Sequence, residues 1–121
     1  MTLITTHMVV IIILIHFIFD WWLQSRWMAN NKSSNWSALA IHCVIYGFGL
    51  VLVWQVAEFL EYYTITAKWT MVNFAVHLVT DAISAPLNKY LYKTRGEYGL
   101  FFGIALDQMI HFTTLFLTIG I

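Results

Sequence analysis

Long apolar stretches alternate with short polar connections along the chain. Four stretches contain no Lys, Arg or Glu, and they cover residues 5–23, 36–57, 69–87 and 99–119. Each is close to the length of about 20 residues that a helix needs to cross a hydrocarbon core of about 30 Å. The pattern therefore predicts an all-α, polytopic integral membrane protein, in which residues 1–121 form a single domain, a four-transmembrane-helix bundle.

The connections between these stretches hold the residues expected to face water. Connection one (residues 24–35) and connection three (residues 88–98) contain five of the six basic residues, whereas connection two (residues 58–68) contains only Lys68. By the positive-inside rule, connections one and three are expected in the cytoplasm and both termini outside. Pro86, the only proline, predicts that the third helix ends or bends near its membrane exit.

The composition supports the membrane interpretation and excludes other classes of protein. Hydrophobic residues make up 60% of the chain and charged residues 10%, whereas soluble domains carry about 25% charged residues. The formal net charge is zero and no basic run is present, so nucleic acid is not an expected partner. The lipid bilayer is the expected surrounding. Cys43 is the lone cysteine, which excludes an internal disulfide.

Acidic and basic residues are separated by depth. All three Asp residues and four of the five His residues lie well inside the predicted spans, whereas the fifth, His7, lies near the start of the first span. An ionisable side chain in hydrocarbon is costly and marks a functional site by default. At a rise of about 1.5 Å per helical residue, the seven side chains fall in one layer in the cytoplasmic half of the bilayer. These seven are His16, Asp20, His42, His77, Asp81, Asp107 and His111.

Spacing within the spans points to a metal. A His and an Asp stand four residues apart in three spans, which places each pair on one helical face. The pairs are His16 with Asp20, His77 with Asp81, and Asp107 with His111. Inward-facing pairs from several helices hold metals in helical bundles. Imidazole and carboxylate ligands suit Zn, the first candidate, and also Mn or Fe. These pairs offer more ligands than one metal ion needs, so some of them could bind a second metal or orient the ligands of the first. His42 is predicted as a further ligand or as a proton shuttle.

A structural interpretation stands beside this one. A single His–Asp pair is better explained by an interhelical hydrogen bond than by a metal, and such a bond contributes less than about 2 kcal/mol in a membrane. Three pairs at matched depth, with almost no other polar side chain at that level, favour a divalent-metal site instead.

The segment HFIFDWWLQSRWMANNK, residues 16–32, resembles the opening signature of a bacterial and phage membrane family catalogued as domain of unknown function 3307. The family pattern H-x3-D-x2-L-Q-x3-M-A-x2-K is matched by His16, Asp20, Leu23, Gln24, Met28, Ala29 and Lys32, with Trp21 at a position that more usually holds Phe. A His in the second span, an H-x3-D in the third and a D-Q-x2-H in the last are also matched. The resemblance covers essentially the whole chain. It implies a bacterial-type inner membrane, supplies no activity, and adds Gln24, Lys32 and Gln108 as supporting or substrate-binding residues.

The leading functional hypothesis is a membrane-embedded, metal-dependent hydrolase of a phosphoester or amide bond. A metal would activate a bound water, and a neighbouring carboxylate would take its proton. Lys32 is then a candidate for holding a negative substrate group. Two alternatives use the same layer: a small transporter or ion- or proton-conducting protein, working as a homo-oligomer, and a non-enzymatic membrane factor that binds a partner protein.

Overall fold

The computed structural model describes residues 4–121, and this part of the chain is all-α. Helix α1 (Thr6–Phe17) continues directly into a π-helical turn (Ile18–Trp22), and a short helix α2 (Arg26–Asn31) follows. The long helices α3 (Trp36–Phe59) and α4 (Ala67–Leu117) complete the fold. The all-α prediction is thereby confirmed. Helix α3 is central, since α1, the π turn, α2 and α4 all pack against it.

Helix α4 consists of two helical segments, here called arms, which form a hairpin because Gly96 interrupts the helix. Gly96 has φ 65° and ψ −151°, a backbone conformation found essentially only for glycine. The first arm (residues 67–95) and the second arm (residues 97–117) lie against each other, and Trp69 Nε1 donates to the Leu115 carbonyl at 2.9 Å. The four predicted spans thus correspond to α1 with the π turn, to α3, and to the two arms of α4.

Two helices have the length and apolarity of membrane spans. Helix α3 has 24 residues and contains an 18-residue segment with a mean hydropathy of 1.9, and α4 has 51 residues and contains an 18-residue segment with a mean hydropathy of 1.5. The segment Thr6–Trp22 is apolar and shorter. At about 1.5 Å per residue, the two arms of α4 together are more than twice as long as a hydrocarbon core of about 30 Å is thick.

Pro86 lies inside α4 and does not end it. Of the two outcomes that the sequence predicted, an end or a bend, the end is wrong. A proline in a helix interior costs about 3 kcal/mol relative to alanine. The residues on both sides are nevertheless helical, and the neighbouring Ser84 and Ala85 are buried. Packing therefore outweighs the local penalty, and the chain reverses at Gly96. As a result, most of connection three is helical.

Connection one also contains structure that the polar pattern did not predict. Helix α2 begins after Ser25, whose Oγ accepts from the Met28 backbone N–H at 3.2 Å, as an N-cap does. The preceding π turn is wider than an α-helical turn, because the Leu23 N–H pairs with the Ile18 carbonyl five residues earlier at 2.9 Å. Such turns often occur at functional sites. This one carries Asp20.

The apolar core occupies the end of the bundle away from connections one and three. Its centre is Trp69, which is fully buried at the start of α4. The other members come from α1, α3, the second arm and connection two: Met8, Ile12, Tyr46, Leu50, Val53, Ala57, Ile65 and Leu115. The buried His and Asp residues lie beyond this core, toward connections one and three.

Candidate metal centre

Four buried side chains from three elements meet between the helices. The π turn contributes Asp20, α3 contributes His42, and the first arm of α4 contributes His77 and Asp81. One ligand atom from each lies within 4.8 Å of all the others, and all four residues are buried. The group could therefore hold a metal ion.

Five of the six distances between ligand atoms of this group lie between 3.1 and 3.8 Å. His42 Nε2 lies 3.2 Å from Asp20 Oδ1 and 3.1 Å from Asp81 Oδ2. It also lies 3.2 Å from His77 Nε2. His77 Nε2 lies 3.8 Å from each of the same two carboxylate oxygens. A tetrahedral site with metal–ligand bonds of about 2.0–2.1 Å has edges of about 3.3–3.4 Å, so the measured distances lie on both sides of that value.

A second group adjoins the first and shares Asp20 with it. Asp20, Asp107 and His111 also offer ligand atoms within 4.8 Å of one another. His111 Nε2 lies 3.2 Å from Asp81 Oδ1 and 3.4 Å from Asp107 Oδ2. The two groups together contain six of the seven residues predicted as metal ligands.

The seventh, His16, is held at both ring nitrogens by other partners. Its Nε2 lies 2.8 Å from Gln108 Oε1, and because an amide oxygen can only accept, His16 Nε2 is the donor. The Nδ1 of the neutral ring then accepts from Tyr46 Oη at 2.9 Å. In this arrangement His16 orients Gln108. Its assignment as a ligand stays a prediction.

Gln108 connects His16 to the carboxylates. Its Nε2 donates to Asp20 Oδ2 at 2.9 Å and to Asp107 Oδ2 at 3.2 Å. The two contacts fix the orientation of the amide, since only the nitrogen can donate to carboxylate oxygens. Ser84 Oγ donates to the other oxygen of Asp107 at 2.6 Å.

Lys32 approaches the centre from the end of α2. Its Nζ donates to Asp81 Oδ2 at 2.9 Å. The Lys32 side chain is 20% exposed, whereas the Asp81 side chain is only 1% exposed. The ammonium therefore supplies positive charge to a carboxylate that is removed from water.

Sequence reasoning missed Tyr46 and Ser84. The Tyr46 ring stacks on His77 with centroids 3.7 Å apart and an interplanar angle of 16°. The spacing in the sequence could have identified both residues. Tyr46 follows His42 by four residues, and Ser84 follows Asp81 by three, so each lies on the same helical face as a predicted ligand.

A cavity of 480 Å³ connects the centre to the surface near connections one and three. It lies between the π turn with α2 on one side and the two arms of α4 on the other. Asp20, Asp107 and Gln108 line it together with Lys32 and Lys89, and apolar side chains such as Leu100 and Ile104 form a wall. Its volume is typical of a small-molecule site, which has about 300–1,000 Å³.

Gln24 lies in the wall of this cavity. Its Oε1 is buried and has no hydrogen-bond partner among residues 4–121, and the same is true of Asn88 Oδ1 on the opposite wall. The contribution of Gln24 to the centre stays a prediction.

Comparison with known proteins agrees with the resemblance in the sequence. Neither a curated protein nor a solved structure matches the chain. The model of the family described as "Protein of unknown function (DUF3307)" matches residues 8–120, nearly the whole chain. The chain therefore belongs to the DUF3307 family, whose function is unknown.

Proposed function

We propose that the protein is a membrane-embedded, divalent-metal-dependent hydrolase whose centre opens toward the cytoplasm. The observation that carries the proposal is that Asp20, His42, His77 and Asp81 are buried, come from three elements and each offer a ligand atom within 4.8 Å of the others. Imidazole and carboxylate donors at this spacing suit Zn, and also Mn or Fe.

The outer surface supports insertion into a bilayer. Large apolar side chains stand exposed on α3 and on both arms of α4, among them Phe48, Ile83 and Phe101, each exposed by 64% or more. Exposed apolar surface that is spread over several helices is typical of contact with lipid or with protein. Because connections one and three hold five basic residues, the proposed orientation places them in the cytoplasm and the termini outside.

Buried charge supports a cation. Three carboxylates lie in the centre, with side chains of Asp20, Asp81 and Asp107 exposed by 5%, 1% and 12%. Lys32 supplies one positive charge. A carboxylate removed from water costs several kcal/mol unless it is compensated. A divalent cation would balance the remaining two negative charges, and Zn, Mn or Fe would do so with the ligands present.

The cavity supports hydrolysis. A bound divalent metal would supply an activated water at neutral pH and polarise the scissile group. Asp107 lines both the centre and the cavity, where it is placed to accept a proton from a nucleophile. Lys32 and Lys89 would attract a substrate with a negative charge, such as a phosphoester, while Leu100 and Ile104 would contact its apolar part.

A transport path is less well supported. The apolar core around Trp69, Leu50 and Leu115 lies between the polar centre and the opposite end of the bundle. Ions and polar solutes cross such a region poorly. This arrangement favours a site entered from one side.

Metal analysis of the detergent-purified protein tests the proposal. We expect at least one Zn, Mn or Fe per wild-type chain by plasma mass spectrometry, and loss of that metal in Asp81→Asn. Glu97→Gln is the matched control, because it also neutralises one carboxylate but lies on the exposed surface of α4, and it should keep the metal. Folded wild-type protein that neither contains nor binds these metals would contradict the proposal.

A further inference from the structure

We propose that the centre holds two divalent metal ions bridged by the carboxylates of Asp20 and Asp81. This inference rests on the proposed function, which needs only one ion. The proposal rests on the geometry of these two carboxylates. In each of them, the two oxygens face different partners.

Asp81 lies between two imidazoles. Its Oδ2 is 3.1 Å from His42 Nε2, and its Oδ1 is 3.2 Å from His111 Nε2. A carboxylate with one oxygen toward each of two ligand groups is the arrangement that bridges a pair of metals, which stand about 3.5–4 Å apart in two-metal sites.

Asp20 repeats this division. Its Oδ1 is 3.2 Å from His42 Nε2, in the first group. Its Oδ2 instead faces the second group, where Gln108 Nε2 lies 2.9 Å away and also donates to Asp107 Oδ2 at 3.2 Å. The N–H groups of the Gln108 amide thus lie between an oxygen of Asp20 and an oxygen of Asp107, in the position where a cation would bind.

The two ions would have unequal sets of protein ligands. The first would take His42, His77 and one oxygen from each bridging carboxylate. The second would take Asp20, Asp107 and His111, whose ligand atoms lie within 4.8 Å of one another, with Asp81 Oδ1 as a further donor next to His111. In the second set, the distances from His111 Nε2 of 3.2 Å to Asp81 Oδ1 and 3.4 Å to Asp107 Oδ2 again match the edge of about 3.3–3.4 Å of a tetrahedral site.

Two ions would need anions from outside the protein. Three aspartates bring three negative charges, whereas two divalent ions and Lys32 bring five positive ones. The surplus of two positive charges would be met by a hydroxide and an anionic substrate group in the cavity. With a single ion in the first group, the carboxylate of Asp107 would be left with the neutral Ser84 and Gln108 and with His111 Nε2 at 3.4 Å.

Counting ions in metal-free protein reloaded with Mn²⁺ tests this inference. We expect two Mn per wild-type chain and a spin-coupled electron paramagnetic resonance signal from the pair. His111→Gln removes a ligand of the second set alone and should leave one uncoupled Mn. His77→Gln removes a ligand of the first set alone and should also leave one. Glu97→Gln should keep two.

The outcomes separate the inference from the function on which it rests. One uncoupled Mn in the wild type, retained in His111→Gln, would overturn the two-ion centre and leave the metal-dependent function standing. Wild-type protein that binds no Mn and no Zn would overturn both. Because the count and the signal of the wild type decide between these results, poor folding of a variant would not weaken the test.

Discussion

Single side chains in the centre act on more than one neighbour. Tyr46 donates its hydroxyl to His16 Nδ1 and stacks its ring on His77. Gln108 joins His16 to two carboxylates. Tyr46 and Gln108 are therefore each held by more than one contact, and this restricts the rotamers of the ligands that they touch.

Tyr46→Phe separates the two roles of the tyrosine. The ring is retained, so stacking on His77 is kept, while the hydrogen bond to His16 is lost. We expect the free energy of unfolding to fall by about 0.5–1.5 kcal/mol and the metal content to stay unchanged. Thermal unfolding in detergent and metal analysis measure both. Tyr46→Leu removes the ring as well and should cost more; equal losses in the two variants would show that the stacking contributes nothing.

Lys32→Met tests whether the ammonium and a metal compensate the same carboxylate. Without the ammonium, buried Asp81 loses a charged donor, which should destabilise the metal-free protein by about 1–3 kcal/mol. The loss should shrink when Zn²⁺ or Mn²⁺ is added, because the metal would supply positive charge to Asp81. Melting temperatures with chelator and with metal measure the difference. Lys89→Met is the control on the exposed rim of the same cavity, and it should change little under either condition. A loss for Lys32→Met that is the same under both conditions would count against a metal at Asp81.

The helical elements owe their arrangement to a few backbone positions. Gly96 allows the two arms of α4 to lie together, and the π turn directs Asp20 into the bundle. The arms approach closely, since a Cβ at Gly99 would lie only 2.5 Å from the Leu91 carbonyl oxygen. The small residues on the second arm therefore help to place Asp107 and His111 opposite the first arm.

Gly96→Ala tests the corner of α4 without adding a clash. A Cβ at this position would meet nothing within 4 Å in the part of the chain that the structure describes, so only the positive φ opposes it. We expect a loss of about 1–3 kcal/mol in the free energy of unfolding. Gly120→Ala is a useful comparison, because it also has a positive φ and open space but lies after α4; it should cost less, since only the chain end follows it. A stability of Gly96→Ala equal to that of the wild type would show that the corner relaxes freely.

The elements and the candidate residues were predictable to different degrees. Spans and the i, i+4 pairs follow from apolar length and helical periodicity, which are local properties of the sequence. The corner at Gly96 was not predicted, because Pro86 is the stronger local signal and packing overrides it. The division of the Asp81 oxygens between His42 and His111 depends on how three helices pack, and a single sequence does not encode that contact in any local pattern.

At the scale of the whole molecule, large apolar side chains lie on the outside as well as in the core. Phe59 and Leu117 are exposed by 86% and 78%, while Trp69 and the His and Asp residues of the centre are buried. In the proposed bilayer, the exposed apolar side chains would contact lipid instead of water. Part of the interior is then available for charged groups, provided that they compensate one another.

Labelling of single cysteines tests the proposed orientation. Cys43 is buried and can be replaced by Ala to give a cysteine-free background. Ser34→Cys in connection one and Thr94→Cys in connection three should be shielded from a membrane-impermeant maleimide in intact spheroplasts, whereas Tyr63→Cys in connection two should react. All three positions are exposed in the fold. Lysed membranes provide the control in which all three react, and the opposite pattern in spheroplasts would reverse the orientation.

The corner at Gly96 also divides the ligands in the order of their synthesis. All four residues of the first group, from Asp20 to Asp81, precede the corner, whereas Asp107 and His111 follow it. During synthesis the ribosome therefore delivers a full set of four donors before the second arm of α4 emerges. We expect that the first group can assemble at that stage and that the second arm completes the centre afterwards.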